Sequence, residues 1–259
     1  MKLSIYQIDA FAEKPFEGNP AAICPLEKWL PDNVLLSIAE ENNLSETAFF
    51  VTTSNGFHIR WFTPTTEVDL CGHATLAAAY VLFHCLDYKN ETIYFESKSG
   101  ILSVSRTASR LIMDFPAQPP IVCDTPKEIE EALGIKPLEC LRSEDYVVVL
   151  NNESEVLAVK PNLNILRKLD LRGVIITSES DDFDFVSRFF GPKCGIDEDP
   201  VTGSAHTQLA PYWSKQLSKN MLHAKQLSSR GGELYCEITS DRVKISGKAV
   251  KYLQGEIEI

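Results

Sequence analysis

The 259-residue sequence predicts an α+β protein of two pseudo-symmetric lobes, each a curved mixed or antiparallel sheet wrapped around a central helix. Three observations carry that prediction. The turn-to-helix stretch Gly195-Ile196-Asp197-Glu198-Asp199-Pro200-Val201-Thr202-Gly203-Ser204-Ala205-His206 has a weaker copy in the first half, Glu67-Val68-Asp69-Leu70-Cys71-Gly72-His73-Ala74-Thr75-Leu76-Ala77, with Gly72-His73-Ala74-Thr75 lying over Gly203-Ser204-Ala205-His206. Residues Ala74 to Phe83 are almost all apolar. A helix apolar on every side has to be buried on every side, and this one is far short of the ~20 residues of a membrane span. Finally, the second half repeats the order of elements of the first.

Taken in order, Met1 to Asp9 alternates as a strand and lacks the apolar core of a signal peptide, which points to a cytoplasmic protein. Phe16-Glu17-Gly18-Asn19-Pro20 is a turn, after which Ala21 to Cys24 resumes an apolar strand. Pro31-Asp32 opens a helix bearing Val34, Leu35, Ile38 and Ala39, which ends near Asn42-Asn43. In Leu44 to Val51 a single acid, Glu46, stands at the mouth of an otherwise apolar strand. Phe57 to Pro64 is a strand stopped by its proline and leads into the first turn-to-helix copy. Strands follow at Thr92–Ser97, Ile101–Ser105 and Leu111–Phe115. The stiff Pro116-Ala117-Gln118-Pro119-Pro120 segment marks the boundary, giving lobes 1–117 and 118–259, with the last strand a candidate to cross back to the first lobe.

Beyond the boundary, a short helix at Pro126–Leu133 precedes strands at Tyr146–Leu150 and Val156–Val159 and a helix near Asn162–Leu169. Strands at Val174–Thr177 and Phe183–Phe190 lead to the second turn and a helix that Pro211 should end or kink. Strands at Leu222–Ser228, Glu233–Thr239, Arg242–Ser246 and Leu253–Ile259 close the chain, with Gly231-Gly232 as a hairpin turn.

The composition narrows the functional classes. A net charge of −11 without a Lys/Arg run argues against nucleic acid. An anionic ligand then needs a local positive field, which the free N–H groups of a helix start supply. The seven cysteines include no CxxC pair, so neither a disulfide framework nor a zinc ribbon is indicated. His58, His84, His206 and His223 show no metal-ligand spacing and read as structural or surface groups, with His206 the one nearest a cleft.

Gly18-Asn19-Pro20-Ala21-Ala22, Ser45-Glu46-Thr47-Ala48-Phe49, Phe62-Thr63-Pro64, Asp69-x-Cys71-Gly72-His73-Ala74-Thr75-Leu76-Ala77 and Glu198-Asp199-Pro200-Val201-Thr202-Gly203-Ser204-Ala205-His206 resemble the PhzF family of phenazine-biosynthesis-like isomerases, nearly from end to end. The resemblance implies a diaminopimelate epimerase-like fold with the active site between the lobes. It also implies a glutamate that shuttles a proton between carbons of a cyclic dihydro-hydroxyanthranilate, helped by a histidine, an aspartate and a serine. Those roles fall on Glu46, His73, Asp199 and Ser204, with no metal or organic cofactor. Gly72, Gly203, Asn19, Asp69 and Thr202 make up the expected substrate-binding set. Similar proteins are often homodimers, so a homodimer acting on a small carboxylated substrate, with no membrane partner, is expected.

The chemistry agrees with these roles. Moving a proton between two carbons needs a base that becomes the acid, so one carboxyl group suffices, and apolar Phe49 and Phe50 beside Glu46 favour its protonated form. N–H groups at Gly72-His73 and Gly203-Ser204 would meet the developing negative charge, with His73 and Asp199 fixing ring substituents. From the residues alone, Glu46 reads first as a solvated strand-end acid and His73 as a cap or a satisfied buried imidazole, and Asp199 and Ser204 fit as helix caps; the resemblance reverses the reading of Glu46. Cys71 stands where related epimerases carry a catalytic thiol, but its second-half counterpart is Thr202, so it reads as a small buried residue. An epimerase or racemase using Cys71, and a non-catalytic binding protein that retains the cleft, are the alternatives.

Overall fold

The computed structural model describes residues 1–259 and divides into two compact units, Met1–Asp114 with Ser246–Ile259, and Phe115–Ile245. In the first unit the strand Lys2–Ala10 lies between the closing strand Ala249–Glu258 and the strand Asn19–Leu26, antiparallel to both. Asn19–Leu26 runs parallel to Glu46–Thr53, which is antiparallel to Gly56–Phe62; that strand is parallel to Thr92–Ser97, which pairs antiparallel with Gly100–Arg106.

Two helices cover this sheet. Helix α1 (Asp32–Asn42) buries Leu35, Ile38 and Ala39 against Cys24, Phe49, Val51 and Phe62. It ends with Asn43 in the left-handed region at φ 48°, a conformation asparagine tolerates better than most side chains. Helix α2 (Gly72–His84) touches the strands Lys2–Ala10, Asn19–Leu26, Glu46–Thr53, Gly100–Arg106 and Ala249–Glu258. Ten of its side chains, from His73 to Phe83, are buried, which is how a helix with no polar face must sit.

The second unit repeats the pairing order of the first. Tyr146–Val149 runs parallel to Val174–Ser178, which is antiparallel to Phe185–Gly191; that strand is parallel to Met221–Gln226, which pairs antiparallel with Gly232–Thr239. In each unit a short strand, Glu67–Val68 or Ile196–Asp199, pairs antiparallel just before the central helix. Helices α3 (Lys127–Leu133), α4 (Glu153–Ala158) and α5 (Leu163–Leu166) contribute Ile129, Leu133, Val156 and Leu166 to one core with Val148, Ile176 and Phe190. Helix α6 (Gly203–Leu217) is the counterpart of α2. The α+β class with a sheet around a central helix is therefore what the sequence predicts.

Two local expectations are corrected. Val156–Val159 is not a strand, because Val156 sits inside α4 and only Val159 extends beyond it. Asn152 caps that helix by accepting from the Glu155 N–H at 3.0 Å, while the Glu155 carboxylate accepts from the Asn151 N–H at 2.9 Å. This reciprocal arrangement resembles a capping box and outweighs the β-branched valines. Nor does Pro211 stop α6, which continues to Leu217. A proline strips the carbonyl four residues back of its helical donor. Here that carbonyl, Thr207 O, accepts from the Gln118 N–H at 3.0 Å, and the Thr207 hydroxyl bonds the Gln118 side-chain oxygen at 3.0 Å. The proline-rich segment thus supplies the donor that Pro211 removes.

Candidate active site

In the first unit, Gly18 prepares the site. It sits at φ 67°, and a Cβ there would stand 2.1 Å from the Ala10 carbonyl oxygen, so only glycine fits the turn. The turn is also held by the buried Asp9 carboxylate, which accepts from the Phe16 N–H at 3.0 Å. The next residue, Asn19, is fully buried and brings its amide Nδ2 to 3.3 Å from His73 Nδ1.

Glu46 begins its strand directly opposite Ala21 of the parallel neighbour, and its side chain is buried. Its Oε2 lies 3.1 Å from His73 Nε2, but the two atoms are out of line for a hydrogen bond. Both therefore keep an unused bonding direction in a buried place. Strand alternation puts Glu46 and Phe50 on one face and Phe49 on the other, in the α1 core, so only one of the two expected aromatic neighbours shares its side of the sheet.

His73 is the second residue of α2, whose N-cap, Cys71, makes no side-chain cap bond. The first N–H groups of a helix have no partner within it, so Gly72 and His73 stand where an anion is favoured. The Cys71 sulfur is 3.5 Å from His73 Nδ1. Burial, followed by the charge of Glu46, pushes the Cys71 thiol up to about 11, against an opposing pull from His73. Burial works against protonation of His73, and the Cys71 sulfur and the Glu46 carboxylate work for it, with the net effect above the usual histidine range. Because Cys71 stays a neutral thiol at neutral pH, the Glu46 carboxylate is the cause that counts there. In the neutral ring, donation from the Asn19 amide to Nδ1 would put the proton on Nε2, and the protonated ring carries one there too, so an Nε2–H lies on the Glu46 side in either form.

Asp69, by contrast, points to the surface, 3.9 Å from Lys98. The ligand atoms of Glu46, Cys71 and His73 lie within 4.8 Å of one another, making them the side chains of this unit best placed to hold an ion.

The second unit builds its turn differently. Asp199 is buried at the end of its short strand and accepts from the Thr202 hydroxyl at 2.5 Å. Thr202 is the N-cap of α6, the position Cys71 holds on α2. Gln226 holds the turn from the neighbouring strand: its Oε1 accepts from the Thr202 N–H at 2.9 Å and its Nε2 donates to the Asp199 carbonyl at 2.8 Å. Ser204, the second residue of α6, accepts from Arg172 Nη2 at 3.1 Å. Arg172 forks onto the buried Asp145 carboxylate at 3.0 and 2.6 Å, and Gln208 also donates to that carboxylate at 2.7 Å. His206 is fully buried; its Nδ1 meets the Thr202 carbonyl at 2.9 Å, and burial depresses its pKa to about 4.

The structure thus brings Glu46, His73, Cys71 and Asn19 together in one unit, and Asp199, Thr202, Gly203 and Ser204 together in the other. Sequence reasoning missed Gln226, Arg172, Asp145 and Gln208, which lie 24 to 63 positions from their partners and carry no local pattern.

The family model for phenazine biosynthesis-like proteins matches residues 8–255. The chain belongs to that family. It is 53% identical to an uncharacterized isomerase of Pseudomonas aeruginosa across the whole of both chains. A crystal structure of a PhzF-family protein from Enterococcus faecalis superposes with a TM-score of 0.98 at 48% identity, covering all of both chains. A hydroxyproline epimerase from Agrobacterium vitis shares the fold alone, with a TM-score of 0.63 at 7% identity over 99% of this chain and 92% of that one. This PhzF-family chain is accordingly an isomerase, and no helix in it is long and apolar enough to cross a membrane.

Proposed function

We propose that the chain is a cofactor-independent isomerase that moves a proton between carbons of a small carboxylated, cyclic amino or hydroxy acid, with Glu46 as the single shuttle. The observation that carries this reading is the buried Glu46–His73 pair, 3.1 Å apart and outside hydrogen-bond geometry, at the open first turn of α2.

As a carboxylate, Glu46 takes a proton from one carbon, and as the resulting acid it returns that proton to another. His73 Nε2–H and the N–H groups of the first α2 turn stabilise the charge that develops while the proton is in transit. General acid–base catalysis of this kind contributes ~10²–10⁴-fold, and positioning supplies the rest. Asp199 and Ser204 serve the same reaction by holding polar substituents of the substrate, with Gly72, Gly203, Asn19 and Thr202 as further binding residues. Asp69 remains in that proposed set as a substrate contact from the surface of its unit. The enzyme acts in the cytoplasm as a homodimer, for which sedimentation equilibrium should return twice the 28.9 kDa chain mass.

The second reading, an epimerase that uses Cys71, has one observation in its favour, the 3.5 Å approach of the thiol to His73. A thiol held up to about 11 is a poor base at neutral pH, and Thr202 offers no second thiol. Steady-state kinetics on a panel of cyclic and acyclic carboxylated amino and hydroxy acids separate the two. The proton shuttle predicts that Glu46→Gln, Asp199→Ala and Ser204→Ala all lower kcat/KM while Cys71→Ala retains most of it. An active Glu46→Gln with an inactive Cys71→Ala would establish the epimerase instead.

A further inference from the structure

Two thiols in the second unit stand together although 17 positions separate them in sequence. The short strand Ile121–Val122 pairs antiparallel with Glu139–Arg142 in the register Ile121↔Arg142 and Val122↔Leu141. The next rung opposes Cys123 to Cys140, and the Cys123 N–H donates to the Cys140 carbonyl at 2.9 Å. Opposed residues of an antiparallel pair share a face and have Cα atoms ~4.5–5.5 Å apart, inside the ~4.4–6.8 Å that a disulfide spans. The two sulfurs are 3.8 Å apart, so rotation of the thiols about χ1 is enough to bring them to bonding distance.

We propose that Cys123 and Cys140 are a modification site, a dithiol that closes to a reversible disulfide when a low-molecular-weight disulfide such as glutathione disulfide is present. Cys123 is half-buried and Cys140 is buried at 2% exposure, so Cys123 reacts first. Its thiolate attacks one sulfur of the small disulfide, forming a mixed disulfide and releasing one small thiolate. Cys140 then gives up its proton to water and attacks the Cys123 sulfur, and the second small thiolate leaves. The small disulfide is reduced to two thiols, and the protein dithiol is oxidised by the same two electrons. Burial and the neighbouring Cys123 push the Cys140 thiol up to about 12. That makes its thiolate a poor leaving group and holds the bond once formed.

The bond would staple the entry of the second unit to its core. Cys140 belongs to the cluster that also holds Ile129, Ala132 and Leu133 of α3, and Cys123 packs against it. The closed loop runs from 123 to 140 and contains all of α3.

The test treats the folded protein with glutathione disulfide, alkylates the remaining thiols and maps disulfide-linked peptides by mass spectrometry without reduction. Exposed Cys194 serves as the internal control for oxidation. The expected result is a peptide pair joined through Cys123 and Cys140, reversed by dithiothreitol and absent from Cys123→Ser, which removes only a half-buried thiol. Two results would overturn the proposal: both thiols still alkylated when Cys194 has fully reacted, or a glutathione adduct that persists on Cys123 while Cys140 remains a free thiol.

Discussion

Glu46 and His73 owe their pairing to two separate backbone devices, a strand that starts at Glu46 and a helix that starts at Gly72. Each residue was legible in the sequence, one as a lone acid in an apolar run and the other in a turn-to-helix motif. Their contact was not, since nothing in a strand pattern tells which helix terminus it faces. Asn19 is the instructive case: its motif was visible, but its packing on His73, 54 positions away, needed the sheet. If Glu46 is the shuttle, Glu46→Gln loses ~10²–10⁴-fold in kcat, the span of general acid–base catalysis, with a near-native circular dichroism spectrum. Asn19→Ala should lower kcat about tenfold, the equivalent of about 1.4 kcal/mol, because Asn19 orients His73, and should raise KM as well, because Asn19 belongs to the proposed substrate-binding set. A rise in KM at constant kcat would show that Asn19 holds substrate without orienting His73.

At the level of elements, the turns and helix ends carry most of the sequence's hidden information. Gly18 and Asn152 are both short signals that local chemistry explains once the neighbours are known. Gly18→Ala forces a Cβ against the Ala10 carbonyl at a positive φ, and the expected loss exceeds about 1 kcal/mol in urea denaturation. Asn152→Ala removes the α4 cap and should cost about 1 kcal/mol by the same measurement. The Asn152-x-x-Glu155 pattern was present in the sequence but was outweighed by three β-branched or aliphatic residues, Val156, Leu157 and Val159. That Pro211 does not end its helix has a different reason. The donor that compensates it comes from Gln118, 93 positions earlier, and helix rules applied within one segment cannot find a partner outside it.

Across the whole molecule, the repeated pairing order of the two units is what the duplicated turn-to-helix motif announced. Hydrophobic run length and motif order survive in a linear chain, which is why the fold class was readable. The buried polar groups that support the second turn were not, because their partners are set by the sheet. His206 shows the consequence for stability. Its folded pKa of about 4 lies below the ~6.5 of an unfolded histidine, so the unfolded state binds the extra proton between those values. This contribution is complete above pH 6.5 and is lost as pH falls towards 4, amounting to at most about 3 kcal/mol. Wild-type urea midpoints should therefore drop between pH 7 and pH 4.5 by more than those of His206→Gln. Equal slopes would show that His206 takes up its proton within the folded chain.

Position-resolved deuterium incorporation by NMR in heavy water tests the central claim most directly, with trans-2,3-dihydro-3-hydroxyanthranilate and a panel of small carboxylated amino and hydroxy acids offered to wild type, Glu46→Gln and Cys71→Ala. The single-shuttle account predicts deuterium at a ring carbon with wild type and Cys71→Ala, and none with Glu46→Gln. Label at an amino-acid α-carbon that persists in Glu46→Gln and vanishes in Cys71→Ala would contradict it.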